Sequence, residues 1–101
     1  MKNMYYLLKD TKTVKCKNLI KWAQTISTMN RTVAKTKIRK VEVSTVFLGL
    51  DHSFDSEKPL LFETMVFGGK FDGHQERYTT WEKAKIGHDT IVKKIKSVKN
   101  K

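Results

Sequence analysis

Residues 43–69 read VSTVFLGLDHSFDSEKPLLFETMVFGG, two apolar runs joined by a polar loop at 51–59. Each run, 43–50 and 60–67, is rich in Val, Phe, Leu and Thr, as strands buried on at least one face are. Strand side chains alternate, so the first run places Val43, Thr45 and Phe47 on one face and Val46, Leu48 and Leu50 on the other. Both faces are apolar, which suits a central strand covered by a helix on one side. In the second run Leu61, Glu63, Met65 and Phe67 share a face. Glu63 takes a place that a core would give to an apolar side chain. A desolvated carboxylate needs a partner, and Arg77 or a tyrosine hydroxyl is the simplest one. Gly68-Gly69 then breaks the strand.

The flanking segments supply helices and edges. Residues 4–9 form a short strand ending in the turn Asp10-Thr11-Lys12, with 13–15 returning beside it. A helix over about 18–29 follows, with Leu19, Trp22, Ala23 and Ile26 in one stripe. Asn18 is its expected N-cap, and Asn30 its left-handed terminator. Residues 31–40 alternate weakly, with Val33, Lys35, Lys37 and Arg39 opposite Ala34, Thr36 and Ile38. A lysine-lined outer face is typical of a sheet edge protected against aggregation. Residues 76–78 add a short strand. Thr79 and Glu82 read as a capping box for a last helix whose stripe is Trp81, Ala84, His88, Ile91, Ile95 and Val98. The order β-α-β-β-β-α predicts an α+β domain, an antiparallel sheet of about four strands with both helices packed on one face.

The chain of 101 residues is long enough for one domain, 1–101, with a single core and a basic tail at about 93–101. Its lone cysteine, Cys16, allows no internal disulfide and fits a reducing compartment. No apolar run approaches the roughly 18–20 residues that span a bilayer. Lys9 and Asp10 interrupt the N-terminal segment too soon for a secretion signal, so a cytoplasmic location is expected. The net charge is +11, and its layout is uneven. Residues 1–40 carry eleven basic side chains against Asp10 alone, whereas 41–92 carry five basic and nine acidic ones. Five further lysines close the chain. Such a field attracts polyanions, nucleic acid first. Only Arg31, Arg39 and Arg77 are arginine, however, and specific base or phosphate readout favours the guanidinium fork. Nonspecific contact through the lysine-rich segments is the simpler expectation.

The segments VSTVFLGLDHSF, PLLFETMVFGG and RYTTWEKAKIGHDTIV, in that order and spacing, resemble a family of small uncharacterised proteins of tailed bacteriophages and prophages. The upstream NLIKWAQTISTMNRTVAKTKI is also similar, so the resemblance spans roughly residues 5–92. It implies a viral origin and a role in the host cytoplasm during infection. It implies no catalytic residues and no cofactor.

Chemistry is thinly signalled. His52, His74 and His88 with the nearby acids could supply metal donors, yet no HExxH or CxxC spacing occurs. His52, Glu63 and His88 would serve a small metal-dependent nucleotide or nucleic-acid hydrolase, one alternative reading. A virion or packaging component, using the last helix as a subunit contact, is another. The favoured reading is a binding protein that inhibits a host defence nucleoprotein complex, of the anti-CRISPR kind. Its predicted contact residues are Asp51, His52, Phe54, Asp55 and Glu57 in one loop and Phe71, Asp72 and His74 in the next. The lysine-rich strand 31–40, through Lys35, Lys37 and Arg39, and the C-terminal tail would meet nucleic acid or an acidic protein surface. Aromatic side chains beside charges often anchor such interfaces.

Overall fold

The computed structural model describes residues 4–53 and 58–98. The chain is α+β, with strands β1 (Tyr6–Lys9) and β2 (Lys12–Lys15), helix α1 (Leu19–Thr28), strands β3 (Thr32–Ile38), β4 (Val41–Phe47), β5 (Phe62–Phe67) and β6 (Gln75–Tyr78), and helix α2 (Trp81–Ser97). β3, β4, β5 and β6 form an antiparallel meander in that spatial order, while β1 and β2 pair separately. The expected four-stranded sheet and edge strand β3 are therefore present. The N-terminal hairpin is a second, independent sheet.

Each inward-facing row of the large sheet has its own chemistry. Phe47, Phe62 and Tyr78 are in register across β4, β5 and β6, and Val43 pairs with Val66 four residues away. Between these rows lie Thr45 and Thr64, also in register. α2 lies across this face and touches all four strands. It buries Ala84, His88, Ile91, Val92 and Ile95. The core thus has two apolar clusters, one around Phe47, Leu61, Phe62, Tyr78 and Ala84, the other around Val43, Val66, Ile91, Val92 and Ile95. Each such aliphatic or aromatic side chain contributes about 1.5–3 kcal/mol by leaving water.

Helix α1 departs from expectation. It packs chiefly on β1 and contains no fully buried residue. Its inner side is Trp22, Thr25, Ile26 and Met29, whereas Leu19, Ile20 and Ala23 are exposed. The indole Nε1 of Trp22 donates to the carbonyls of Tyr6 and Gly49, both at 3.0 Å, tying the helix to the hairpin and to the end of β4. So α2 covers the sheet, while α1 reaches the Phe47 cluster only through Ile26 and Met29. The caps shift as well. Asn18 does cap α1, accepting from Lys21 N–H at 3.0 Å. Asn30 is not left-handed; its side chain accepts from Thr32 N–H at 3.0 Å, which starts β3 instead. The N-cap of α2 is Thr80, bonded to Lys83 N–H at 3.1 Å, so Glu82 stands one position short of the place a capping box with Thr80 requires.

Gly87 explains how α2 approaches so closely. A Cβ built there would stand 2.3 Å from the Tyr78 ring and hydroxyl, so the ring occupies the space a side chain would need. Helix propensity alone favours alanine at this position by about 1 kcal/mol. Overpacking opposes it by about 1–3 kcal/mol. Gly87→Ala is expected to lower the urea midpoint despite the propensity gain; a raised midpoint would show that Tyr78 is free to move aside.

Candidate functional site

His88 sits 1% exposed between α2 and the sheet. Its Nε2 lies 2.9 Å from the Thr36 hydroxyl on β3, and its Nδ1 lies 2.7 Å from the Thr45 hydroxyl on β4. Thr45 in turn meets Thr64 on β5 at 2.5 Å. A neutral imidazole, one nitrogen donating and the other accepting, satisfies this chain, since hydroxyls play either role. Burial pushes the His88 pKa below its ordinary value, opposed by Asp89 and assisted by Lys85. The Tyr78 hydroxyl is buried beside this chain without a hydrogen-bond partner. Thr64 and Glu76 are its polar neighbours, but neither meets hydrogen-bonding geometry, and desolvation raises the phenol pKa. This polar row has no opening to solvent through His88. Its role is to join three strands and a helix.

Glu63 is on the opposite side of the sheet. Alternation along β5 turns Thr64 toward His88 and Glu63 away from it. There the carboxylate accepts from Arg77 Nε at 3.0 Å and from the Gln75 side chain, the pairing expected for it. His52 is exposed beyond the end of β4. His52, Glu63 and His88 therefore lie in three separate places, and no catalytic or metal-binding trio forms from them. Among the described residues no cluster of three or more His, Cys, Asp or Glu side chains converges. Of the apolar stripe of α2, Ala84, His88, Ile91 and Ile95 are buried against the sheet, while Trp81 and Val98 at its ends are partly buried.

The two predicted contact loops also separate. The 51–59 loop joins the end of β4 to the start of β5, and the 68–74 turn follows the end of β5. They stand at opposite ends of a six-residue strand, about 20 Å apart. Phe54, Asp55 and Glu57 lie outside the described residues. Asp51 is buried, and its Oδ1 accepts from Ser53 and Leu60 N–H at 2.8 and 3.0 Å, a loop-closing role. Asp72 similarly accepts from Gly68 N–H at 2.6 Å. His74 lies 3.7 Å from Glu76. Lys35 and Lys37 share the uncovered sheet face, where Lys35 is 3.8 Å from Glu42.

Among the described residues, Arg39 and Phe71 are predicted ones that meet at one groove. The β3–β4 turn Arg39-Lys40, the β5–β6 turn beginning Gly68-Gly69-Lys70-Phe71, and the end of α2 enclose an open groove of about 520 Å³. That is within the range of ligand-sized clefts. Val41, Phe71, Ile95 and Val98 make its floor, and Arg39, Lys40 and Lys70 its rim. The ammonium groups of Lys70 and Lys94 lie 5.9 and 6.0 Å from the Phe71 ring centroid. Gly68, at φ 94°, lets the two turns touch: a Cβ there would be 2.8 Å from the Lys40 carbonyl oxygen. Arg39 holds a left-handed conformation, φ 56°, at a cost of roughly 1–2 kcal/mol for a residue with a side chain. Lys70 was not among the residues expected to act, whereas Lys40 and Lys94 belong to the lysine-rich segments 31–40 and 93–101 expected to meet polyanions. The tight turn that carries Lys70 was the available signal, since two hairpins of one meander bring alternate turns together.

Comparison of the chain with protein-family models, curated proteins and solved structures found no match.

The buried histidine makes stability depend on pH. Its folded pKa lies below the ordinary 6.5, so its stabilising contribution is complete above pH 6.5 and is lost as pH falls from there through the folded value. Thermal melts at pH 7.5 and 5.0 should show a larger loss for the wild type than for His88→Gln, which cannot titrate. Equal losses would mean that His88 protonates without penalty.

Proposed function

We propose that this chain is a small, non-enzymatic accessory protein of bacteriophage type that binds and inhibits a host defence nucleoprotein complex, as anti-CRISPR proteins do. The observation that carries the reading is the basic groove at one end of the sheet. There Arg39, Lys40, Lys70 and Lys94 gather at a half-buried aromatic ring, and Asp72, next to it in the chain, accepts from the Gly68 N–H. Positive charge gathered beside an aromatic ring suits an anionic macromolecular surface rather than bond-making chemistry. The dispersal of His52, Glu63 and His88 favours binding over hydrolysis. On the uncovered sheet face Lys35, Lys37 and Arg77 extend the basic surface, interrupted by Glu42 and Glu63. Surface complementarity is sufficient for such an inhibitor, which accords with a chain of 101 residues.

The test is capture from host lysate on tagged protein, with and without nuclease treatment, followed by assay of the captured complex. A nucleoprotein nuclease that is retained after treatment, and loses activity as stoichiometric protein is added, is the expected result. The triple variant Arg39→Gly/Lys40→Gln/Lys70→Gln should weaken both effects at least tenfold. Recovery of nothing but nuclease-sensitive nucleic acid would overturn the proposal.

A further inference from the structure

We infer that the groove between the β3–β4 turn, the β5–β6 turn and the end of α2 is a binding site for single-stranded nucleic acid, seating one base against Phe71 and the adjoining phosphates on Arg39, Lys40, Lys70 and Lys94. The inference rests on the proposed function and names the chemistry of its anionic contact.

Three properties of the groove select this occupant. Its floor is apolar and contains one aromatic ring, Phe71, packed from below on the Val43–Val66–Ile91 cluster and thereby fixed in position. A fixed ring is a platform on which any base can stack. Its rim is cationic: Arg39, Lys40 and Lys70 line it directly, and Lys94 approaches the ring with Lys70. The cations and the ring share one cleft, the combination that suits an unpaired strand, whose phosphates and bases are both accessible. A duplex keeps its base faces stacked inside and offers none of them to the Phe71 ring. A free anion would likewise use the rim and ignore the floor. The uncovered sheet face is a weaker rival. Phe67 is exposed there, yet it pairs across the sheet with Glu42, and Glu63 adds a second acid. Mixed charge on that face suits a protein surface better than a polyanion.

Arg39 gives the test its control. Glycine relieves the left-handed strain at this turn position, so Arg39→Gly should hold or raise stability while removing a rim charge. The probes are a fluorescent 12-nucleotide thymidine strand and a 12-base-pair duplex, read by anisotropy between 50 and 200 mM salt. The wild type should favour the single strand, with a logarithmic salt slope of about −3 for four phosphate contacts. Phe71→Leu retains the floor's apolar packing and should cost at least fivefold on the single strand, with duplex affinity unchanged. Arg39→Gly and Lys40→Gln should each weaken strand binding and make the slope shallower by about 0.7. Equal affinity for strand and duplex, or indifference to Phe71→Leu in a variant that melts normally, would overturn the site. So would displacement of the strand by an anionic acyl probe at lower concentration than by a second oligonucleotide, which would make the groove a lipid or detergent cleft. Any of these failures leaves the lysate result standing, whereas failure of nuclease inhibition with intact strand binding would remove the host-defence reading and keep the groove.

Discussion

His88 is held from two strands at once, by Thr36 on β3 and Thr45 on β4, and Thr45 passes the chain of hydrogen bonds to Thr64 on β5. The apolar clusters on either side of this row would tolerate many small slides of the helix over the sheet, because burial is nearly indifferent to direction. The hydrogen-bonded row is not indifferent. Moving α2 by a turn, or β5 by two residues, would leave buried hydroxyls or an imidazole nitrogen unpaired, at about 1–3 kcal/mol for each. The row therefore fixes the strand register and the position of α2, and with them the place where Ile95 and Val98 meet the two turns.

That placement concentrates the chain's charge. The meander brings turn 39–40 beside turn 68–71, and α2 runs back so that its lysine-bearing end arrives at the same pole. Lysines near the C-terminus of a helix also complement its dipole. The close approach of the turns depends on Gly68, and the shape of the first turn depends on a left-handed Arg39. Strain retained by a charged residue at the lip of a groove is more readily understood as serving contact than as serving the fold, since glycine would serve the fold better.

The sheet strands and α2 were legible in the sequence because their patterning is unambiguous. The runs 43–50 and 60–67 alternate or are wholly apolar, and Ala84, His88, Ile91 and Ile95 recur at helical spacing. The partner of Glu63 was legible too, because a half-buried carboxylate within a strand needs a cation in reach and Arg77 is one strand away. Leu19 and Ala23 misled because apolar spacing identifies a helix face without saying whether anything covers it. Thr80 replaced Thr79 as a cap for a local reason: both are threonines, and the choice depends on where β6 releases the chain. The loops at 51–59 and 68–75 were grouped as one surface because both are polar with an aromatic residue. Their separation follows only from the direction of β5 between them.

The sequence by itself determined that the chain is α+β, that β4 and β5 are inner strands and that β3 is a lysine-lined edge. These are properties of periodicity and local composition, read within windows of a few residues. The tertiary structure alone decided that His88 bridges Thr36 and Thr45, that Glu63 faces away from it, and that Arg39, Lys40, Lys70 and Lys94 gather around Phe71. Those outcomes depend on strand order and on the face each side chain takes once the sheet is assembled. Contacts across tens of residues leave no periodic trace in a single chain, because each half of a contact is chemically ordinary until the other half arrives.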